Sequence, residues 1–262
     1  MNKHFNFSLN INILLNAARC LLLVLTQSAF QGQAGVVAVT NTINLVQGWN
    51  LVGNSVEAPI TVASSFNDAN KVITIWKWVT TGNTAGISYP AWAFYAPGQA
   101  DGGQTYAANK GYDFLTTINA GEGFWVNAKT PFTSPLPAGN PVQPNSFMPT
   151  VATPATAGGA HALPHGWSLI ASGSNPTPTQ LNAALGASIS TPPTTGQVHA
   201  NFISLWAWDA TKTQWYFWSP ALVNNGSLAA YLTSKGYLDF ATLSGTPTGT
   251  LSSATGVWVN LP

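Results

Sequence analysis

The chain is 262 residues long, 45% hydrophobic and 11% aromatic, yet only 6% charged, against roughly 25% in an average soluble domain. Eleven Trp, seven Tyr and twelve Phe supply more burial than a low-hydrophobicity chain has, which excludes ordinary intrinsic disorder. With 18 Pro and 24 Gly between short apolar runs, and Thr, Ser and Asn as polar filler, short strands and turns are favoured over a helical bundle.

Residues 1–34 read as an export signal. Lys3 and Arg19 precede the apolar run at 21–25, and Gly32-Gln33-Ala34 presents small residues to a signal peptidase. A membrane anchor fits less well, because Thr26, Gln27 and Ser28 interrupt the run short of the ~20 apolar residues a span needs. No transmembrane segment is expected in the mature chain, which is placed outside the cell or on its surface. Its charge is then six Lys, no Arg and seven Asp or Glu, a net charge near minus one. Phosphate binding needs clustered Lys and Arg, so nucleic acid is not an expected partner. Cys20 lies inside the signal, so the mature chain is expected to have no disulfide and no cysteine ligand or nucleophile. Residues 36–45 then form a strand-like start that can pair within its own domain or with a neighbour's sheet edge.

The rest of the chain contains two copies of one pattern. Gly48-Trp49-Asn50-Leu51-Val52 is echoed by Gly166-Trp167-Ser168-Leu169-Ile170, and Ile73-Thr74-Ile75-Trp76-Lys77-Trp78 by Ile203-Ser204-Leu205-Trp206-Ala207-Trp208. Trp92-Ala93-Phe94-Tyr95-Ala96-Pro97 aligns with Trp215-Tyr216-Phe217-Trp218-Ser219-Pro220. Tyr106 and Lys110-Gly111-Tyr112 align with Tyr231 and Lys235-Gly236-Tyr237, and Gly123-Phe124-Trp125-Val126-Asn127 with Gly256-Val257-Trp258-Val259-Asn260. Five colinear blocks make chance resemblance untenable. All eleven Trp fall within the copies, five in the first and six in the second.

Alternation around Trp76 and Trp78 puts both on one strand face with Thr74, and Ile73, Ile75 and Lys77 on the other. A loop and a second aromatic strand follow, which is a hairpin signal that brings the Trp76/Trp78 and Trp92/Phe94 rows together. Short helical turns are expected near residues 61–66, 179–185 and 227–233. The fold expected is mainly β: two tandem homologous small β-sandwich or barrel-like domains, 35–130 and 166–262. The eight prolines of the intervening 131–165 predict a Pro/Gly-rich linker that holds the domains apart as a semi-rigid spacer.

The opening Gly-Trp-Asn-Leu-Val, the central Trp-x-Trp and the closing Gly-x-Gly-Phe-Trp-Val resemble repeat domains of secreted and surface-exposed bacterial proteins. The resemblance covers about residues 48–128 and 166–260 and implies no catalytic residues. The second copy departs at the closing motif, where Ala254-Thr255-Gly256 replaces Gly121-Glu122-Gly123, so no shared role is expected for Glu122.

No catalytic or metal set stands out. The seven carboxylates include no pair marked by spacing or repetition for glycoside chemistry. Asp113 and Asp239, each after a Lys-Gly-Tyr, read as turn residues or partners of Lys110 and Lys235. His161 and His165 are separated by Pro164 in linker sequence, and His199 has no counterpart in the first copy. Nucleophile, zinc, phosphate-loop and calcium-loop motifs are all missing. No cofactor is expected.

Aromatic side chains remain. Trp92, Tyr95, Trp215, Tyr216 and Trp218 are the candidate binding residues, for a glycan or a protein interface. Tyr216 with Trp218 points opposite to Trp215 with Phe217. Two readings follow. The first is a non-enzymatic structural or adhesive protein of the cell surface or extracellular matrix, associating with itself or other surface proteins into filaments or layers. The alternative is a carbohydrate-binding module that uses exposed aromatic side chains.

Overall fold

The structure, a computed structural model, describes residues 42–149, 161–185 and 200–262. Residues 1–34, expected to be an export signal and containing Cys20, lie outside the described residues, as do the start of the expected 36–45 strand, the middle of the expected linker and His199.

Each copy builds an open five-stranded sheet. In the first, the strands are β2 (Gly48–Gly53), β4 (Val72–Val79), β5 (Ala91–Tyr95), β6 (Asp113–Phe114) and β8 (Gly123–Ala128), in the order β2-β8-β4-β5-β6, while β3 (Ile60–Thr61) and β7 (Thr117–Ile118) pair with each other outside it. The second uses β12 (Gly166–Ile170), β13 (Ser204–Asp209), β14 (Gln214–Trp218), β15 (Leu238–Asp239) and β16 (Val257–Leu261), in the order β12-β16-β13-β14-β15. The two orders are the same, so the repeated motifs encode one topology twice. Neither sheet closes into a barrel. The chain is mainly β, with a few short helices.

The hairpin register follows the alternation. Trp76 faces Phe94 and Trp78 faces Trp92, while Trp206 faces Phe217 and Trp208 faces Trp215. Ile75 and Lys77 lie on the opposite, buried face as expected. Ile73 does not: a bulge between Val72 and Thr74 leaves it 46% exposed. Helical turns occur at Val62–Ser65, Pro178–Leu185 and Leu228–Lys235, close to the predicted positions. The helix Gln104–Lys110 was not anticipated. Together with Leu228–Lys235 it forms an equivalent pair, each carrying the chain across to a parallel edge strand, β6 or β15.

Each sheet has a core face and a tryptophan face. On the core face, Ile75, Tyr95, Phe124 and Val126 pack in the first copy, and Leu205, Tyr216, Trp218, Val257 and Val259 in the second. β1 (Thr42–Leu45) pairs antiparallel with β9 (Phe132–Pro135) in the same chain, and Ile43 and Leu45 enter the first core. The part of the N-terminal strand that is described therefore pairs internally.

The expectation of a spacer between separated domains is corrected. Phe132–Pro135 is a strand, Val142 and Phe147 are buried in the second core, and β10 (Phe147–Pro149) pairs in parallel with β11 (His161–Leu163). Val142 N–H donates to Ser55 C=O, and Gly173 N–H donates to Val142 C=O. Proline density removes donors and stiffens the chain, but the apolar residues between the prolines still gain by burial.

Candidate functional site

The two copies meet through their tryptophan faces, and the contacts are reciprocal. The indole Nε1 of Trp78 donates to Trp167 C=O at 3.0 Å, and that of Trp208 donates to Trp49 C=O at 2.9 Å. Trp78 and Trp208 are equivalent positions, as are Trp49 and Trp167. The backbone repeats the relation: Gly53 N–H donates to Ala254 C=O, and Ala171 N–H to Gly121 C=O, each at 2.9 Å. Single bridges join Val52 with Thr255 and Ile170 with Glu122. Every such contact maps onto another when the copies are exchanged, so the chain is folded about an internal pseudo-twofold axis.

This contact explains the closing glycines. A Cβ at Gly256 would stand 2.2 Å from Val52 O, and one at Gly123 would stand 2.8 Å from Leu169 Cγ. The close backbone approach between copies excludes a side chain at Gly256, and one at Gly123 would force Leu169 and Ile170 to shift. The first residue of the motif is held in the left-handed region in both copies, with φ 74° at Gly121 and 68° at Ala254. The departure from glycine at Ala254 thus leaves the backbone unchanged. Glu122 has its own role in the first copy: its carboxylate accepts from Lys77 Nζ at 2.7 Å and from Asn119 N–H at 2.6 Å.

Ten of the eleven Trp belong to this meeting of faces. Trp78 and Trp92 stack edge-on against Trp258 at 6.1 and 5.8 Å, and Trp208 and Trp215 lie against Trp125 at the same two distances. Between these rings lie two clefts. One, about 430 Å³, is lined by Trp78, Trp92, Trp167, Trp206, Trp215 and Trp258. The other, about 460 Å³, is lined by Trp49, Trp76, Trp92, Trp125, Trp208 and Trp215, together with Tyr112. Exchanging the copies converts one set of six indoles into the other. Trp92 and Trp215 line both clefts. Trp49 and Trp167, 45% and 43% exposed, reach solvent.

The chemistry of the lining is narrow. It presents apolar ring faces, and its side-chain polar groups are indole N–H donors and, in one cleft, the Tyr112 hydroxyl. Trp76 Nε1 donates to Thr74 Oγ1 at 3.1 Å and Trp206 Nε1 to Ser204 Oγ at 3.0 Å. With Trp78 and Trp208 also committed to backbone carbonyls, no protein acceptor is seen among the described residues for the N–H groups of Trp49, Trp92, Trp125, Trp167, Trp215 and Trp258.

Of the five candidate residues, Trp92 and Trp215 lie in the clefts. Tyr95, Tyr216 and Trp218 do not, which corrects their assignment: they are 6%, 1% and 6% exposed and sit in the cores. Alternation separates them, because Tyr216 and Trp218 leave the strand on the core side while Trp215 leaves it on the other. Burial pushes the Tyr95 hydroxyl pKa up. For Tyr216, burial and donation to Asp209 at 3.1 Å act in the same direction. Trp49, Trp76, Trp125 and their partners are not among the five candidates. They are packed, and they line the clefts as well.

The described carboxylates and histidines have structural partners. Asp113 accepts from Tyr89 Oη at 2.6 Å and Thr84 Oγ1 at 3.1 Å, and Asp239 caps a short 3-10 turn through Ala241 N–H. His161, 2% exposed, contacts Glu57 at 3.1 Å between Nε2 and Oε1, and His165 contacts the Pro262 carbonyl. Among the described residues no three metal-ligating side chains come together, and no helix is long and apolar enough to cross a membrane. Comparison of the chain with protein-family models, curated proteins and solved structures finds no match.

Proposed function

We propose that the protein is an exported, non-enzymatic adhesive component of the bacterial surface or extracellular matrix, and that it binds carbohydrate in its twin tryptophan clefts. The observation that carries this reading is the pair of equivalent, indole-lined clefts at the contact between copies. Flat indole faces suit the C–H faces of a sugar ring, and free N–H donors suit its ring and glycosidic oxygens. A lining so apolar is poorly suited to acid–base or nucleophilic chemistry, which needs positioned titratable groups. Two sites per chain also favour adhesion, because linked weak sites hold a repetitive polymer by raising the effective concentration of the second contact. Filament formation by the N-terminal strand has less support, since Thr42–Leu45 is already paired within its own chain.

The test is calorimetric titration and insoluble-polysaccharide pull-down across a panel of neutral glycans, with Trp49→Ala and Trp167→Ala as partners to the unaltered chain. These two side chains are exposed at the cleft mouths, one per cleft, so the fold tolerates their loss. Two sites per chain are expected, each variant weakening one of them about three- to tenfold, the worth of one aromatic contact. Absence of binding to the whole panel overturns the reading.

A further inference from the structure

A third concavity, about 320 Å³, lies between the copies beside the cleft that contains Trp49 and Trp208. Trp208 belongs to both, so one indole joins two chemically different surfaces. Where the cleft offers rings and N–H donors, the groove offers hydroxyls and an amide from both copies: Thr42 and Asn44 on one side, Thr211, Ser244, Ser253 and Thr255 on the other. Thr42 and Ser244 are exposed, and neither side chain is bonded to the protein among the described residues.

Charge is nearly absent from the groove. Its one charged lining residue is Asp209, and both carboxylate oxygens are occupied. Oδ1 accepts from Thr211 N–H at 3.0 Å, Thr211 Oγ1 at 2.7 Å and Lys212 N–H at 3.0 Å, while Oδ2 accepts from Tyr216 Oη at 3.1 Å. The Lys212 ammonium completes this set 3.2 Å from Oδ2. An acidic ligand therefore finds a negative group and no uncommitted cation in the groove lining, and a cationic one finds the carboxylate saturated.

We propose that this groove is an extension subsite for an uncharged oligosaccharide chain, one unit of which stacks in the adjoining tryptophan cleft while its neighbours hydrogen-bond to the groove hydroxyls beyond Trp208. The proposal rests on the glycan reading of the clefts and adds to it the ligand class, a neutral polymer longer than a disaccharide. It also predicts an order of contact: the ring on the indoles, the next units on Ser244, Ser253 and Thr42.

Two neutral series, cello-oligosaccharides and N-acetylchito-oligosaccharides of two to six units, and acidic oligogalacturonates as contrast, are titrated against the full chain by tryptophan fluorescence and calorimetry. With each added hydrogen bond strengthening binding about two- to tenfold, affinity for at least one neutral series is expected to rise about tenfold or more between two and four units. Ser244→Arg, on one wall of the groove, and Thr42→Arg, on the other, are each expected to abolish that rise. The acidic series is expected to bind weakly at every length. Neutral binding that is independent of length, or unchanged in both variants, overturns the extension subsite and leaves the clefts standing. Equal binding of the acidic series overturns the uncharged class. No binding by any saccharide overturns this inference together with the reading beneath it.

Discussion

Lys77 and Glu122 are charged residues of the first copy whose equivalents in the second are uncharged. Their equivalents are Ala207 and Thr255, so the ion pair is present as a unit in one copy and missing as a unit in the other. The Lys77 side chain is 8% exposed and that of Glu122 26%, and Lys77 Nζ also donates to Thr117 C=O at 3.0 Å. Removing one partner strands a poorly solvated charge, whereas removing both does not. Lys77→Ala or Glu122→Thr alone is expected to cost about 3 kcal/mol in urea unfolding. The double variant, which recreates the second copy's pair, is expected to cost clearly less than the two added together, and additivity would refute the coupling. Asp209 makes a pH prediction. Burial alone would raise its carboxyl, but hydrogen bonds from Thr211, Lys212 and Tyr216 outweigh burial and hold its pKa at about 2. A group lowered on folding stabilises the protein above its unfolded pKa and loses that contribution as the pH falls through the folded value. Between about pH 4 and 2, the unaltered chain is therefore expected to lose about 2 kcal/mol that Asp209→Asn does not lose. Thermal melts of both proteins across that window check it.

At the scale of elements, β4 and β13 supply the two indole N–H bonds that join the copies. Both strands put alternate residues into a core and a partner sheet, which is why their Trp-x-Trp spacing was legible in the sequence as a face. The hairpin register and three helical turns were legible for the same reason: local periodicity and turn composition are short-range properties. The helix Gln104–Lys110 was missed because its polar, seven-residue segment has no apolar period. Equivalence makes a sharp prediction. Trp78→Phe and Trp208→Phe each delete one indole N–H bond to a backbone carbonyl of the other copy. Each is expected to destabilise by about 1 kcal/mol, and by the same amount within error. A large inequality would show that the reciprocal contacts are not energetically equivalent.

For the whole molecule, the two copies share what separate domains do not. Ala254 from the second copy enters the first core, and Ala120 from the first enters the second. Residues 42–149, 161–185 and 200–262 are therefore expected to unfold in one transition, with tryptophan fluorescence and far-ultraviolet circular dichroism giving coincident curves in urea. Two resolved transitions would show that the copies are stable apart. The duplication, the mainly β class and the two faces of each aromatic strand are legible in the amino-acid order, because each follows from composition or from spacing within a few residues. That order also singled out Trp92 and Trp215. Packing alone places proline-rich 131–149 against both copies, puts Tyr95, Tyr216 and Trp218 in the cores, and closes ten Trp around two clefts. Those outcomes depend on which face of one sheet meets which face of the other. That choice is set by contacts between residues far apart in the chain, Trp49 with Trp208 among them, where no local pattern carries the information.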